Sequence, residues 1–251
     1  MIVVTGPGRS GTTFLAMLYR ELGFDPGGRW NPSLNAGMEA RQFSTINNQL
    51  AAAFGTVGVP REGPRSLRSL ERARLFSEKH LPGPVSDRVG SLVTSVRYHG
   101  SPADPMDWSM MEAVLGEHGQ SMRTLAARTP VVKDPRFCWT LHAWLASGAA
   151  IDSVVLALRT LDSMAASRVR AGMIPERAQM WAKNNFAYGI GLAVAAATEY
   201  RIPLQILRFP DFLDQAQDLH ERLPLPEPRS LEEFEAALDR VRDASLVHDQ
   251  S

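Results

Sequence analysis

The chain has 251 residues, 44% of them hydrophobic and 22% charged, and its 27 basic and 27 acidic side chains cancel at neutral pH. A chain of that length buries about 70% or more of its unfolded surface, and its composition is that of an ordinary globular domain, which excludes wholesale disorder and a fibrous protein. The one cysteine, Cys138, excludes an intrachain disulfide framework and a cysteine-cluster zinc site.

In chain order, residues 1–5 form a short apolar strand, followed by a glycine-rich loop and a helix over Thr12–Leu22 that Gly23 closes. Glycine, proline and asparagine over 25–37 predict a loop. Residues 38–54 and 66–79 have helical patterns. Residues 81–104 are the least regular stretch, with a short strand at Ser91–Tyr98. A helix covers 106–128, with Gly116 and Gly119 as possible breaks. A second strand-helix unit follows: strand 129–133, then helix 136–147. The continuous apolar run Ser153–Leu158 fits a strand buried on both faces. Helices at 161–171 and 175–199, a strand at Pro203–Leu207, and helices at 210–222 and 230–247 complete the chain.

Strands alternating with helices predict one α/β domain over 1–251, a central parallel sheet flanked by helices, and the glycine-rich loop between the first strand and its helix predicts a P-loop-like nucleotide-binding N-terminus. The zero net charge is uneven. Residues 211–251 hold 11 acidic and 4 basic residues, so the tail is acidic, and the basic side is nearly all arginine, Lys79, Lys133 and Lys183 being the only lysines. No run of basic residues points to a nucleic-acid partner. The longest weakly polar stretch, Tyr188–Thr198, is shorter than the ~20 residues a bilayer span needs. The opening Met1-Ile2-Val3-Val4-Thr5-Gly6 lacks the pattern of a signal peptide. A cytoplasmic location is the expectation, with neither membrane nor nucleic acid as partner.

Residues 3–14 read Val-Val-Thr-Gly-Pro-Gly-Arg-Ser-Gly-Thr-Thr-Phe. Glycines let backbone N–H groups turn toward an anion, and the following helix offers its free N–H groups and positive dipole end at the same point. Gly6, Gly11 and Thr13 match the Walker pattern G-x-x-x-x-G-K-[ST], but its lysine slot holds Thr12. That lysine reaches the β/γ-phosphates in nucleoside-triphosphate enzymes. Gly8-Arg9-Ser10-Gly11-Thr12-Thr13 resembles instead the 5′-phosphosulfate loop of sulfotransferases, which use 3′-phosphoadenosine 5′-phosphosulfate (PAPS) and whose basic residue precedes the glycine, as Arg9 does.

A second segment is similar to that family's 3′-phosphate motif: the strand 153–158, then Arg159, then Ser167 eight positions later on a helix. An arginine leaving a strand's carboxyl end lies in the crevice where open α/β sheets bind ligands. Arginine supplies a charge-assisted fork for a phosphate and serine a hydroxyl. Weaker likenesses are Lys133-Asp134-Pro135-Arg136 to a Lys-Asp-Pro-Arg of bacterial sulfotransferase-like proteins, 31–39 to a segment ending in Glu, and Trp181–Asn185 and 207–213 to later segments. Together they span roughly 1–215, with 55–128 carrying little.

The resemblance implies a PAPS-dependent sulfotransferase of the bacterial and carbohydrate-type branch acting on a small-molecule or glycosidic acceptor. Arg9, Ser10, Gly11, Thr12 and Thr13 would hold the 5′-phosphosulfate, Arg159 and Ser167 the 3′-phosphate, and Lys133 the bridging or sulfonate oxygens. The cytosolic animal and plant enzymes place a histidine base where this chain has Pro135, and their C-terminal Gly-x-x-Gly-x-x-Lys motif is missing. In the bacterial and carbohydrate-type branch an early glutamate is the usual base, so the resemblance makes Glu39 the first candidate, with Asp134, His99 and His118 as alternatives. Acceptor contacts are expected from 29–54 and 80–125. No cluster of ligands has metal spacing, so no metal is expected. A P-loop phosphotransferase of the nucleoside-kinase kind and a non-catalytic nucleotide-binding protein are the rival readings. No motif specifies the acceptor or the oligomeric state.

Overall fold

The computed structural model describes residues 1–28, 30–31, 36–53, 108–170, 174 and 176–246. In chain order these form β1 (Ile2–Thr5), α1 (Thr12–Glu21), β2 (Trp30–Asn31), β3 (Ala36–Gly37), α2 (Arg41–Ala53), α3 (Trp108–Arg128), β4 (Val131–Lys133) and α4 (Phe137–Ala146). Then come β5 (Ser153–Leu158), α5 (Leu161–Arg170), α6 (Gln179–Glu199), β6 (Leu204–Arg208), α7 (Ala216–Arg222) and α8 (Leu231–Leu246). The helix 66–79, the irregular stretch 81–104 and its strand Ser91–Tyr98 lie outside the described residues.

The sheet runs β4-β1-β5-β6 and all of its pairings are parallel. Alternation along the strands builds two cores. Val3, Val132 and Val154 face α2, α3, α4 and α6; Val4, Val131, Val155 and Ala157 face α1 and α8. Helices therefore cover both faces, which is why β1 and nearly all of β5 are buried. Phe43 of α2 stacks on Trp144 of α4 at 5.0 Å, with Phe137 5.3 Å from Trp144. The stripe Trp139, Leu141, Trp144 and Leu145 is core.

Several boundaries differ from the sequence reading. The stretch 25–37 holds a small antiparallel ribbon, β2–β3, pairing Trp30 with Gly37 and Asn31 with Ala36. A two-residue strand is too short for hydrophobic periodicity to register. Helix α3 passes unbroken through Gly116 and Gly119; a glycine inside a helix costs only about 1 kcal/mol. The helix expected from 175 opens with a 3-10 turn at Glu176–Ala178. The C-terminus of α1 is as expected: Gly23 has φ 93°, its N–H bonds Arg20 O at 3.0 Å, and Phe24 N–H bonds Tyr19 O at 2.9 Å, the paired bonds of a Schellman cap. Among the described residues no helix is long and apolar enough to cross a membrane.

Candidate functional site

The chain leaves β1 toward β4 on one side and returns to β5 on the other, so β1 marks the topological switch, where open α/β sheets place their ligands beyond the strands' carboxyl ends. At that edge β1 and β4 are tied together. Thr5 Oγ1 donates to Asp134 O at 3.1 Å, and Asp134 N–H donates to Val4 O at 3.2 Å. The segment Lys133–Arg136 thus lies beside the glycine-rich loop.

That loop, residues 6–11, is tightly determined. A Cβ on Gly6 would collide with the Ala157 carbonyl oxygen of β5 and lie 2.5 Å from Ser10 Oγ. Arg9 holds φ 79°, the left-handed region that side chains rarely adopt, and Gly11 follows at φ 98° with the Phe209 ring against it. Successive turns of this kind point N–H groups outward as an anion-binding concavity. Helix α1 begins at once, with no acidic residue in its first turn and no side-chain cap, so its positive end is left uncompensated.

Arg9 Nε donates to Ser167 Oγ of α5 at 2.9 Å, joining the two segments that the sequence singled out separately. Burial first, then the fields of Arg159 and Arg170, lower the Arg9 pKa below its ordinary value. Arg159 sits just past β5, with its guanidinium 5.6 Å from the centre of the Phe209 ring. Arg168 lies 4.6 Å over the Phe186 ring and packs against the loop at Gly8. Like charges gathered in this way repel one another, so an anion that binds among them relieves a cost already present.

On the β4 side, Lys133 is only 2% exposed and its Nζ donates to Gly37 O at 2.8 Å and to Glu39 Oε1. The approach depends on backbone geometry. Met38 is fully buried at φ 65°, turning the chain between the two acceptors, and Gly28 lies so close to the Glu39 backbone that a Cβ would clash. Burial lowers the Lys133 pKa from its ordinary value, and the Glu39 carboxylate acts against that shift. Glu39 Oε2 has no partner among the described residues. Asp134, fully buried, binds Arg136 and accepts a hydrogen bond from Asn47 Nδ2. Lys133 therefore pairs with Glu39, while its sequence neighbour Asp134 is engaged with Arg136.

Arg9, Gly11, Thr12, Thr13, Arg159, Ser167, Lys133 and Glu39 are all carried by the carboxyl-end side of the sheet, on β1, β4, β5 and the segments that follow or pack on them. Ser10 is brought there too, but its amide bonds Pro7 O and its buried hydroxyl turns inward without a partner. The described histidines are engaged elsewhere: His118 beside Glu117, His142 with Glu199 and His220 with Arg229 O. His80, His99 and His248 lie outside the described residues. Burial pushes the Cys138 thiol up to about 12 beneath the loop, which makes it a poor nucleophile. Among the described residues no group of three or more His, Cys, Asp and Glu is arranged to hold a metal. Sequence reasoning missed Arg168, Arg170, Gly28 and Asn47. The Arg-x-Arg at the end of α5 was the one legible signal; the roles of Gly28 and Asn47 arise only from packing. Comparison with protein-family models, curated proteins and solved structures finds no match for the chain.

Proposed function

We propose that the protein is a sulfotransferase moving a sulfuryl group from PAPS to a hydroxyl or amine of a small-molecule or glycosidic acceptor. The Arg9–Ser167 hydrogen bond carries the reading, because it joins the phosphosulfate-type loop to the 3′-phosphate-type helix within the field of Arg159 and Arg170. A donor with phosphates at both ends of one ribose needs two such cationic groups at one crevice.

In this reading the loop amides, Arg9 and the α1 terminus hold the 5′-phosphosulfate, while Arg159 and Ser167 hold the 3′-phosphate. Ser10 contributes its hydroxyl only after rotation about χ1. The acceptor oxygen attacks sulfur, the bond from sulfur to the bridging phosphate oxygen breaks, and the acceptor's proton passes to the open Oε2 of Glu39. Lys133 stands where one ammonium touches Glu39 and offsets negative charge on the departing phosphate. A nucleoside kinase would need a lysine at Thr12 and a carboxylate free for Mg²⁺; Asp134 is already taken up by Arg136 and Asn47.

The test is a thermal-shift series with 3′-phosphoadenosine 5′-phosphate (PAP), AMP, and ATP with Mg²⁺. PAP at a hundredfold excess over its Kd should stabilise by about 2.7 kcal/mol. AMP should bind roughly ten- to a hundredfold more weakly, the worth of a charge-assisted contact, and Arg159→Ala should erase that preference. A wild type that ranks ATP with Mg²⁺ above PAP overturns the reading in favour of phosphoryl transfer.

A further inference from the structure

One cation at the β4 end has no part in these roles. Arg136 is held by a carboxylate that is itself fully buried: Asp134 Oδ1 accepts both the Arg136 backbone N–H and Nη1 at 2.9 Å, and Oδ2 accepts Nη1 at 2.9 Å and Asn47 Nδ2 at 3.0 Å. Asn47 is fully buried as well, its Oδ1 accepting Thr140 Oγ1 at 2.8 Å and Trp144 Nε1 at 2.7 Å. A chain of satisfied hydrogen bonds thus runs from the aromatic core to the Arg136 guanidinium, whose side chain is 28% exposed. Such a network fixes orientation, because every member already has its partner. Only Nη1 is consumed. The Nε–Nη2 edge, which grips a carboxylate through two parallel bonds, has no partner among the described residues.

The side of the sheet matters. Arg9, Ser167 and Arg159 belong to the β1–β5 side, while Arg136 stands across β1, just past β4 and close enough for its charge to act on Lys133. We propose that Asn47 and Asp134 are positioning residues that hold the open edge of Arg136 toward a carboxylate on the acceptor. The acceptor is then a hydroxyl or amine compound carrying its own negative charge. This deepens the sulfotransferase reading and rests on it.

The experiment is NMR of protein labelled with ¹⁵N-arginine, saturated with PAP and titrated with sodium acetate. Arg136→Lys removes one Nε–H signal and so identifies it. Acetate should shift that signal saturably, while PAP alone leaves it in place. Asp134→Asn and Asn47→Ala should weaken the acetate response at least tenfold. An Arg136 signal indifferent to acetate overturns the proposal, as does one moved by PAP itself, which would make Arg136 a donor contact. Variants that lower only the melting temperature and keep the acetate response make Asp134 and Asn47 merely structural, which overturns the positioning role. If PAP causes neither a thermal shift nor movement of any arginine signal, the sulfotransferase reading fails separately; acetate titration of the PAP-free protein then decides whether Arg136 receives a carboxylate.

Discussion

Glu39 and Lys133 form one unit, and the chemistry asked of each depends on the other. A carboxylate bound to an ammonium through one oxygen keeps the second oxygen for a proton. Glu39→Gln keeps the size and the hydrogen bonds but removes the basicity, so kcat should fall by about 10²–10⁴ while PAP affinity holds. Steady-state kinetics beside PAP titrations check this; unchanged turnover would move the base elsewhere. Lys133 carries a separate prediction about pH. Its folded-state pKa is lowered by burial, so between that value and the ordinary 10.5 the unfolded chain binds the extra proton. Stability therefore rises with pH through that window. Lys133→Met removes this titrating group, and the wild type should gain stability relative to the variant as pH approaches 10.5 in urea titrations. Parallel curves for the two proteins would contradict the buried-ammonium account.

At the scale of elements, the site depends on a few short connections held where side chains do not fit. Gly6 is the sharpest case, since a methyl there meets the Ala157 carbonyl of β5 and the residue's φ is 152°. The Ser10 hydroxyl 2.5 Å away can rotate aside, but the carbonyl is backbone, so the strand end or the loop must shift. Gly6→Ala should cost about 1–3 kcal/mol, as overpacking does, seen as a lower urea midpoint at unchanged m-value. An alanine variant as stable as the wild type would mean the loop is looser than its contacts indicate. Most elements were legible in the sequence, because long periodic helices and apolar strands carry their own pattern. The ribbon β2–β3 was not: two paired residues have no period, and its importance comes from delivering Gly37 O to Lys133.

Across the whole molecule, the sequence by itself determined the α/β class with its parallel sheet flanked by helices, the glycine-rich turn after β1 and the arginine after β5. These depend on local chemistry: strand and helix periodicity, glycine where the backbone must bend, and a cation next to a strand end. Most residues of the candidate site were likewise named from the sequence, one segment at a time, but Arg168, Arg170, Gly28 and Asn47 were not. Which of them meet was decided only by tertiary structure. Arg9 and Ser167 lie 158 positions apart and touch because β5 pairs beside β1. Glu39 reaches Lys133 across 94 positions because buried Met38 turns the chain and Gly28 permits the close approach. Asp134 was a candidate base on residue type alone, yet packing brings Asn47 and Arg136 to it and makes it a fixed anchor. A side chain's type sets the bonds it can make. Its partners follow from how distant segments are stacked, and no local pattern in the chain encodes that.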